Sequence, residues 1–281
     1  MRRTTKSICS TMVVAAVIAA AGPATASAAD AREALRVTAV NYLQQVKSGR
    51  FKGSMIVSRN GTSLITIGVD SKFDFSDKRY PRVSYTISRI GYGSGPAVVT
   101  LYKGRIYVKV VNGRFFGTTK DLGMQRLTAQ LGAADQGAVV NMGLNLFSDF
   151  RDDGPAVVDG TAVNMYSALG DLDNLIEVVA PYFGIFLPNR VVDPLGIDTR
   201  AVKFIEQYVD GNLPRVSLGV DAAGLPRVTY INAQSNNGEY QLNSRFDFTG
   251  LNQPVNIKPL SKAKRVGSRK VMNKLIQKGL S

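Results

Sequence analysis

The chain has 281 residues, a formal net charge of +14, a single cysteine (Cys9) and no histidine. The missing histidine excludes Ser-His-Asp triads, imidazole general bases and the usual zinc ligands. Cys9 falls in an export signal, so the mature chain is expected to have no disulfide, thiol nucleophile or thiolate metal site.

The first element is that signal. Arg2, Arg3 and Lys6 form a basic start, residues 12–21 are apolar but shorter than the ~20 residues a bilayer span requires, and Ala26-Ser27-Ala28 offers a small-x-small cleavage site. Residues 1–28 are therefore expected to be a removable signal peptide, the mature chain starting near Ala29 and working outside the cytoplasm, secreted or in the periplasm or cell envelope. Cys9 precedes the apolar stretch, whereas a lipoprotein cysteine follows it, so no lipid anchor is expected. Cleavage would lower the charge from +14 to +11, and eight of those charges lie in residues 258–281, leaving about +3 for the body. Basicity reads as a property of the tail, and no nucleic-acid partner is expected.

Residues 31–46 have the spacing of an amphipathic helix, with Leu35, Ala39, Tyr42, Leu43 and Val46 on one side, ending at Gly49. From residue 51 the period becomes two, and Asn60-Gly61 between β-rich runs predicts a hairpin over 53–59 and 63–70. Further strands are predicted over 82–90, 97–102 and 105–111, an antiparallel meander closed by Asn112-Gly113. Helical spacing returns between 120 and 150, capped by Asp121. A lone strand follows over 156–169, then helical stretches over 172–186 and 199–209, then a second meander over 215–221, 227–234 and 240–248.

The helical stretches are unusually apolar. Leu127, Leu131, Val139, Met142, Leu146 and Phe150 recur in the first, and Leu175, Val179, Phe183 and Phe186 in the second, which is apolar around most of its circumference. A helix greasy on all sides faces more than one sheet, so a pocket, a lid or a partner is implied unless it simply fills a core. Residues 182–187 run into Pro188 and read as an apolar flap.

The order helix, antiparallel strands, apolar helices, strand, helices, antiparallel strands resembles the LolA-like carriers, especially the LppX and LprG type of glycolipid-carrying lipoproteins. Three stretches carry the resemblance: 53–69; Val157-Val158-Asp159-Gly160-Thr161-Ala162-Val163-Asn164-Met165-Tyr166; and Gly224-Leu225-Pro226-Arg227-Val228 through Phe246-Asp247-Phe248 to Pro254-Val255-Asn256-Ile257. It implies an α+β fold, a strongly curved antiparallel β half-barrel with helices plugged into the concave face, in a single domain over 29–257. It also implies a lipid-binding or lipid-transfer function, acyl chains lying in an apolar cavity lined by the ten residues just named. No cofactor or metal is implied, and the ligand would be a lipid or acylated molecule held by a monomer. Lacking a lipidated cysteine, the chain departs from the LppX and LprG relatives and is closer to a soluble shuttle.

Residues 258–281 read as a basic amphipathic tail. Lys262, Lys264, Arg265, Arg269, Lys270, Lys274 and Lys278 surround Val271, Met272, Leu275 and Ile276, a pattern suited to an anionic membrane surface, although a disordered solubilising end has similar composition. Two other functions compete. An RseB-like sensor would bind a membrane-associated partner, and a secreted hydrolase would need a carboxylate pair from Asp149, Asp152, Asp153, Asp159 and Asp171. The runs Asp152-Asp153-Gly154-Pro155 and Asp159-Gly160 have the composition of turns, which argues against the hydrolase.

Overall fold

The computed structural model describes residues 27–77, 80, 82–87, 97–110, 114–120, 136–170 and 212–260. Helix α1 (Ala28–Gln45) leads into β1 (Ser48–Arg59), β2 (Thr62–Asp74), β3 (Arg82–Ile87), β4 (Ala97–Tyr102), β5 (Arg105–Val110) and β6 (Arg114–Lys120). Helix α2 (Gln136–Leu144) precedes β7 (Phe147–Val158), β8 (Thr161–Gly170), β9 (Arg215–Asp221), β10 (Pro226–Gln234) and β11 (Tyr240–Thr249). The eleven strands make one antiparallel sheet, ordered β6-β5-β4-β3-β2-β1-β11-β10-β9-β8-β7. Two meanders thus run outward from a central β1–β11 pair, and the sheet does not close, giving a curved half-barrel with helices on its concave side.

Local chemistry sets these elements. Ser27 and Asp30 form a capping box at the start of α1, the Ser27 hydroxyl accepting from the Asp30 amide at 3.3 Å and the Ser27 amide donating to the Asp30 carboxylate at 2.9 Å. Ala31, Leu35, Thr38, Ala39 and Tyr42 form its buried stripe. Three hairpins turn on the same left-handed pair: Asn60-Gly61 (φ 47° and 78°), Lys103-Gly104 (48° and 68°) and Asp159-Gly160 (47° and 79°). Two consecutive positive φ angles match the right-handed twist of the flanking strands.

The structure corrects four expectations. The helix stops at Gln45, and Gly49 lies inside β1, where an added Cβ would come within 2.8 Å of Leu251 and 2.9 Å of Phe73. The 120–150 stretch is not one helix: a strand missed in the sequence, β6, runs to Lys120, α2 covers only Gln136–Leu144, and Phe147 already belongs to β7. The lone strand over 156–169 is instead a hairpin, β7 and β8, reversing at Asp159-Gly160. Asp152-Asp153-Gly154-Pro155 forms no turn; it lies within β7, which shifts register between Ser148 and Arg151 and again between Asp152 and Gly154. Those bulges explain the helical misreading. They let Phe147 and Phe150, three residues apart on a strand, both enter the core.

That core lies under the helices. Ala31, Leu35 and Ala39 of α1 and Val140 and Leu144 of α2 pack on Phe147, Phe150, Tyr166, Ala168, Val216, Leu218 and Val220. The far end of α1 crosses to the other meander, where Tyr42 and Val46 join Phe73, with Val83, Leu225 and Leu251 against them. One helix therefore ties both halves of the sheet together.

Candidate functional site

Strand register defines which side chains line the concave face away from that core. In-register pairs Phe51–Ser71, Gly53–Val69, Phe73–Val83 and Ser71–Tyr85 continue to Tyr85–Val99 and Val83–Leu101 on β4, and to Phe51–Phe248 and Gly53–Phe246 on β11. Alternation puts Met55 and Val57 of β1 on this face as well. From β11 to β4 the face is mostly apolar, interrupted by Ser244 opposite Met55, Ser71, Gly53 and the Tyr85 hydroxyl. Burial pushes the Tyr85 phenol well above its ordinary pKa, so it stays protonated at any physiological pH.

Cover differs along the face. Val57, Val69, Phe73, Tyr85, Val99 and Leu101 are buried, whereas Phe51, Met55 and Val83 are only half-buried. These three stand on β1 and β3, either side of β2, and are the apolar side chains of this face left partly exposed among the described residues. An aromatic row forms one side of it: the Phe51 and Phe246 rings stack with centroids 5.0 Å apart and planes 10° from parallel, and Phe248 is tilted against Phe51 at 5.1 Å. Gly53 makes the row possible. A Cβ there would fall 2.1 Å from the Arg245 carbonyl oxygen and 2.5 Å from Cδ1 of Phe246, so glycine lets that ring lie across β1. The sequence reading missed this face; its signal was the alternating Phe51, Gly53, Met55 opposite Phe246 and Phe248.

Of the residues predicted to line a cavity, Phe150 is buried in the helix-covered core, with the Arg32 guanidinium carbon 5.9 Å from its ring centroid, and Leu146 packs half-buried against the same core. Val139 and Met142 belong to α2. Leu127, Leu131, Leu175, Val179, Phe183 and Phe186 lie outside the described residues, as do the 182–187 flap and all seven tail cations.

The described candidate carboxylates are mostly tied to local partners. Asp149 lies 2.6 Å from both Arg151 and Arg215, and hydrogen bonds first from Arg215 and then from Arg151 lower its pKa. Asp152 accepts from the Gly154 amide at 2.9 Å and from Asn164 at 3.0 Å. Asp159 pairs with Arg245 across three strands, Asp153 is exposed, and Asp171 is outside the described residues. Among the described residues no helix is long and apolar enough to cross a membrane.

No protein-family model and no curated protein matches the chain. Solved structures align over most of it. LprF from Mycobacterium bovis does so with a TM-score of 0.47 and 12% identity, over 84% of this chain and 98% of that one. The lipoprotein LppX of Mycobacterium tuberculosis gives 0.44 and 11%, over 83% and 100%. The MucA/MucB complex of Pseudomonas aeruginosa gives 0.38 and 16%, over 86% of this chain but only 64% of that chain. At these identities and TM-scores the likeness is one of fold and reaches neither ligand nor partner.

Proposed function

We propose that the chain is an extracytoplasmic lipid-binding or lipid-transfer protein that holds acyl chains against the concave face of β1–β3. The observation that carries this reading is the half-buried apolar set of Phe51, Met55 and Val83, on the same face whose other end the helices seal. Such a site needs no nucleophile. Each methylene taken from water contributes ~0.8 kcal/mol, so a dozen carbons give roughly 10 kcal/mol before the costs of association.

Export belongs to the same proposal. Cleavage after Ala28 removes Ser27 from its capping box and leaves a new ammonium in the first turn of α1, where the helix dipole disfavours positive charge and Asp30 compensates. N-terminal sequencing of the exported protein is expected to begin at Ala29. The basic tail is proposed to rest on anionic lipid.

The test is mass spectrometry of organic extracts from the protein purified without detergent. Acyl lipid in stoichiometric amount is the expected result. An extract without lipid, from a protein that instead captures a membrane-protein partner, would favour the RseB-like sensor and overturn the carrier.

A further inference from the structure

Between Asp77 and Asp121 the chain carries nine lysines and arginines and no acid. The expectation that basicity belongs to the tail alone is therefore corrected: the body's +3 is the balance of this +9 stretch and a remainder of −6. The stretch contains β3 to β6, the four outer strands of one arm of the sheet.

Register places its charges. Arg105 pairs with Tyr102 on one side and with Lys120 on the other, Tyr107 with Thr100, and Lys109 with Val98. These positions alternate with Val99 and Leu101, so Arg105, Tyr107 and Lys109 stand on the convex face. Lys103 is exposed in the β4–β5 turn, its ammonium 5.7 Å from the Tyr102 ring centroid. Among the described residues neither Lys103 nor Arg105 has a carboxylate partner. The central strands differ: Lys52 stands between Asp70 and Asp247.

We propose that the convex face of β4–β5 is a docking surface for an anionic lipid bilayer. Basic side chains interleaved with Tyr102 and Tyr107 are the combination that headgroup regions favour, the ammonium and guanidinium groups meeting phosphate and the phenols sitting at the interface. On this face Lys103 is exposed, and Tyr102, Arg105, Tyr107 and Lys109 are half-buried beside buried Thr100. The proposal depends on neither the tail nor the acyl site.

The test is co-sedimentation of the full chain with phosphatidylcholine vesicles, with and without phosphatidylglycerol. Replacing Lys103→Gln, Arg105→Gln and Lys109→Gln together is expected to lower partitioning onto the anionic vesicles roughly 100-fold at low salt, at about fivefold per charge. The control Lys52→Gln with Lys72→Gln is expected to change it by no more than about twofold. Folding of the triple variant is checked by its melting temperature, which should stay within a few degrees of wild type, because surface substitutions outside a buried network change stability little. Rising salt should release the wild-type chain. Equal partitioning of triple variant and wild type, an equal loss in the control, or salt-insensitive binding would overturn the proposal. So would binding to heparin with no binding to vesicles, which would make the partner a polysaccharide.

Discussion

The two arms of the sheet use one alternation and differ in what lies on it. On β7–β9 the concave face is sealed by α1 and α2 around Leu35, Tyr166 and Leu218, each at most fractionally exposed. On β1–β3 the same face is as apolar, but Phe51, Met55 and Val83 remain half-buried, and of the described helices it is the end of α1 that reaches it, at Phe73 and Val83. One half of the interior has the character of a core; the other is the proposed receptacle. The arms also differ in charge, the β3–β6 stretch being purely basic and the central strands setting Asp70, Asp74 and Asp247 among their cations.

The sharpest way to break that comparison is matched truncation. Leu35→Ala in the sealed half is expected to lower unfolding free energy by about 2–5 kcal/mol, because the helices leave a cavity that cannot collapse. Met55→Ala in the open half should lower it by only about 1 kcal/mol, the side chain being incompletely buried at the outset. Denaturant titration of both variants measures the difference; equal losses would mean that both halves are sealed alike.

An intermediate effect is expected where the open arm is pinned. Burial raises the pKa of Asp74, but hydrogen bonds from Ser76 and then the Arg82 charge, 2.5 Å away, outweigh it, and the net shift is downward. A depressed carboxylate stabilises the fold above its unfolded pKa, near 4, and that contribution is lost as pH falls through the lower folded value. Asp74→Asn should therefore cost about 2 kcal/mol near neutrality and flatten the acid side of the stability profile. A profile unchanged in shape would remove Asp74 from the account.

Smaller still is the effect at Thr229, on the concave face of β10 between Leu218 and Phe246, whose hydroxyl is buried with no hydrogen-bond partner among the described residues. Thr229→Val is expected to raise stability by about 1 kcal/mol, read from the shift of a denaturation midpoint. A loss would show that the hydroxyl has a partner.

Much of the second meander was legible in the sequence because each of its strands is short, alternating and bounded by glycine or asparagine turns: the predicted 215–221, 227–234 and 240–248 differ from β9, β10 and β11 by no more than a residue at either end. The hairpins at Asn60-Gly61 and Lys103-Gly104 were legible for the same reason. The region from Arg114 to Gly170 was not. Bulges in β7 gave Phe147 and Phe150 a helix-like spacing, and Asp159-Gly160 was absorbed into an apolar run that hid a reversal. The proposed receptacle was invisible for a different reason. Phe51 and Met55 come from β1 and Val83 from β3, and only register shows that they share a face which the described helices leave partly uncovered. Periodicity reports which residues avoid water, not which find a partner inside the chain.

The central claim is that the Met55 side of the concave face accepts acyl chains, and native mass spectrometry of the wild-type and Met55→Glu proteins, delipidated and then offered a long-chain fatty acid, tests it most directly. The account expects a one-to-one adduct on the wild type and loss of that adduct on the variant at nearly unchanged melting temperature, since a carboxylate at this position repels both the chain and its charge. Equal adducts on both proteins, or none on the wild type, would contradict it.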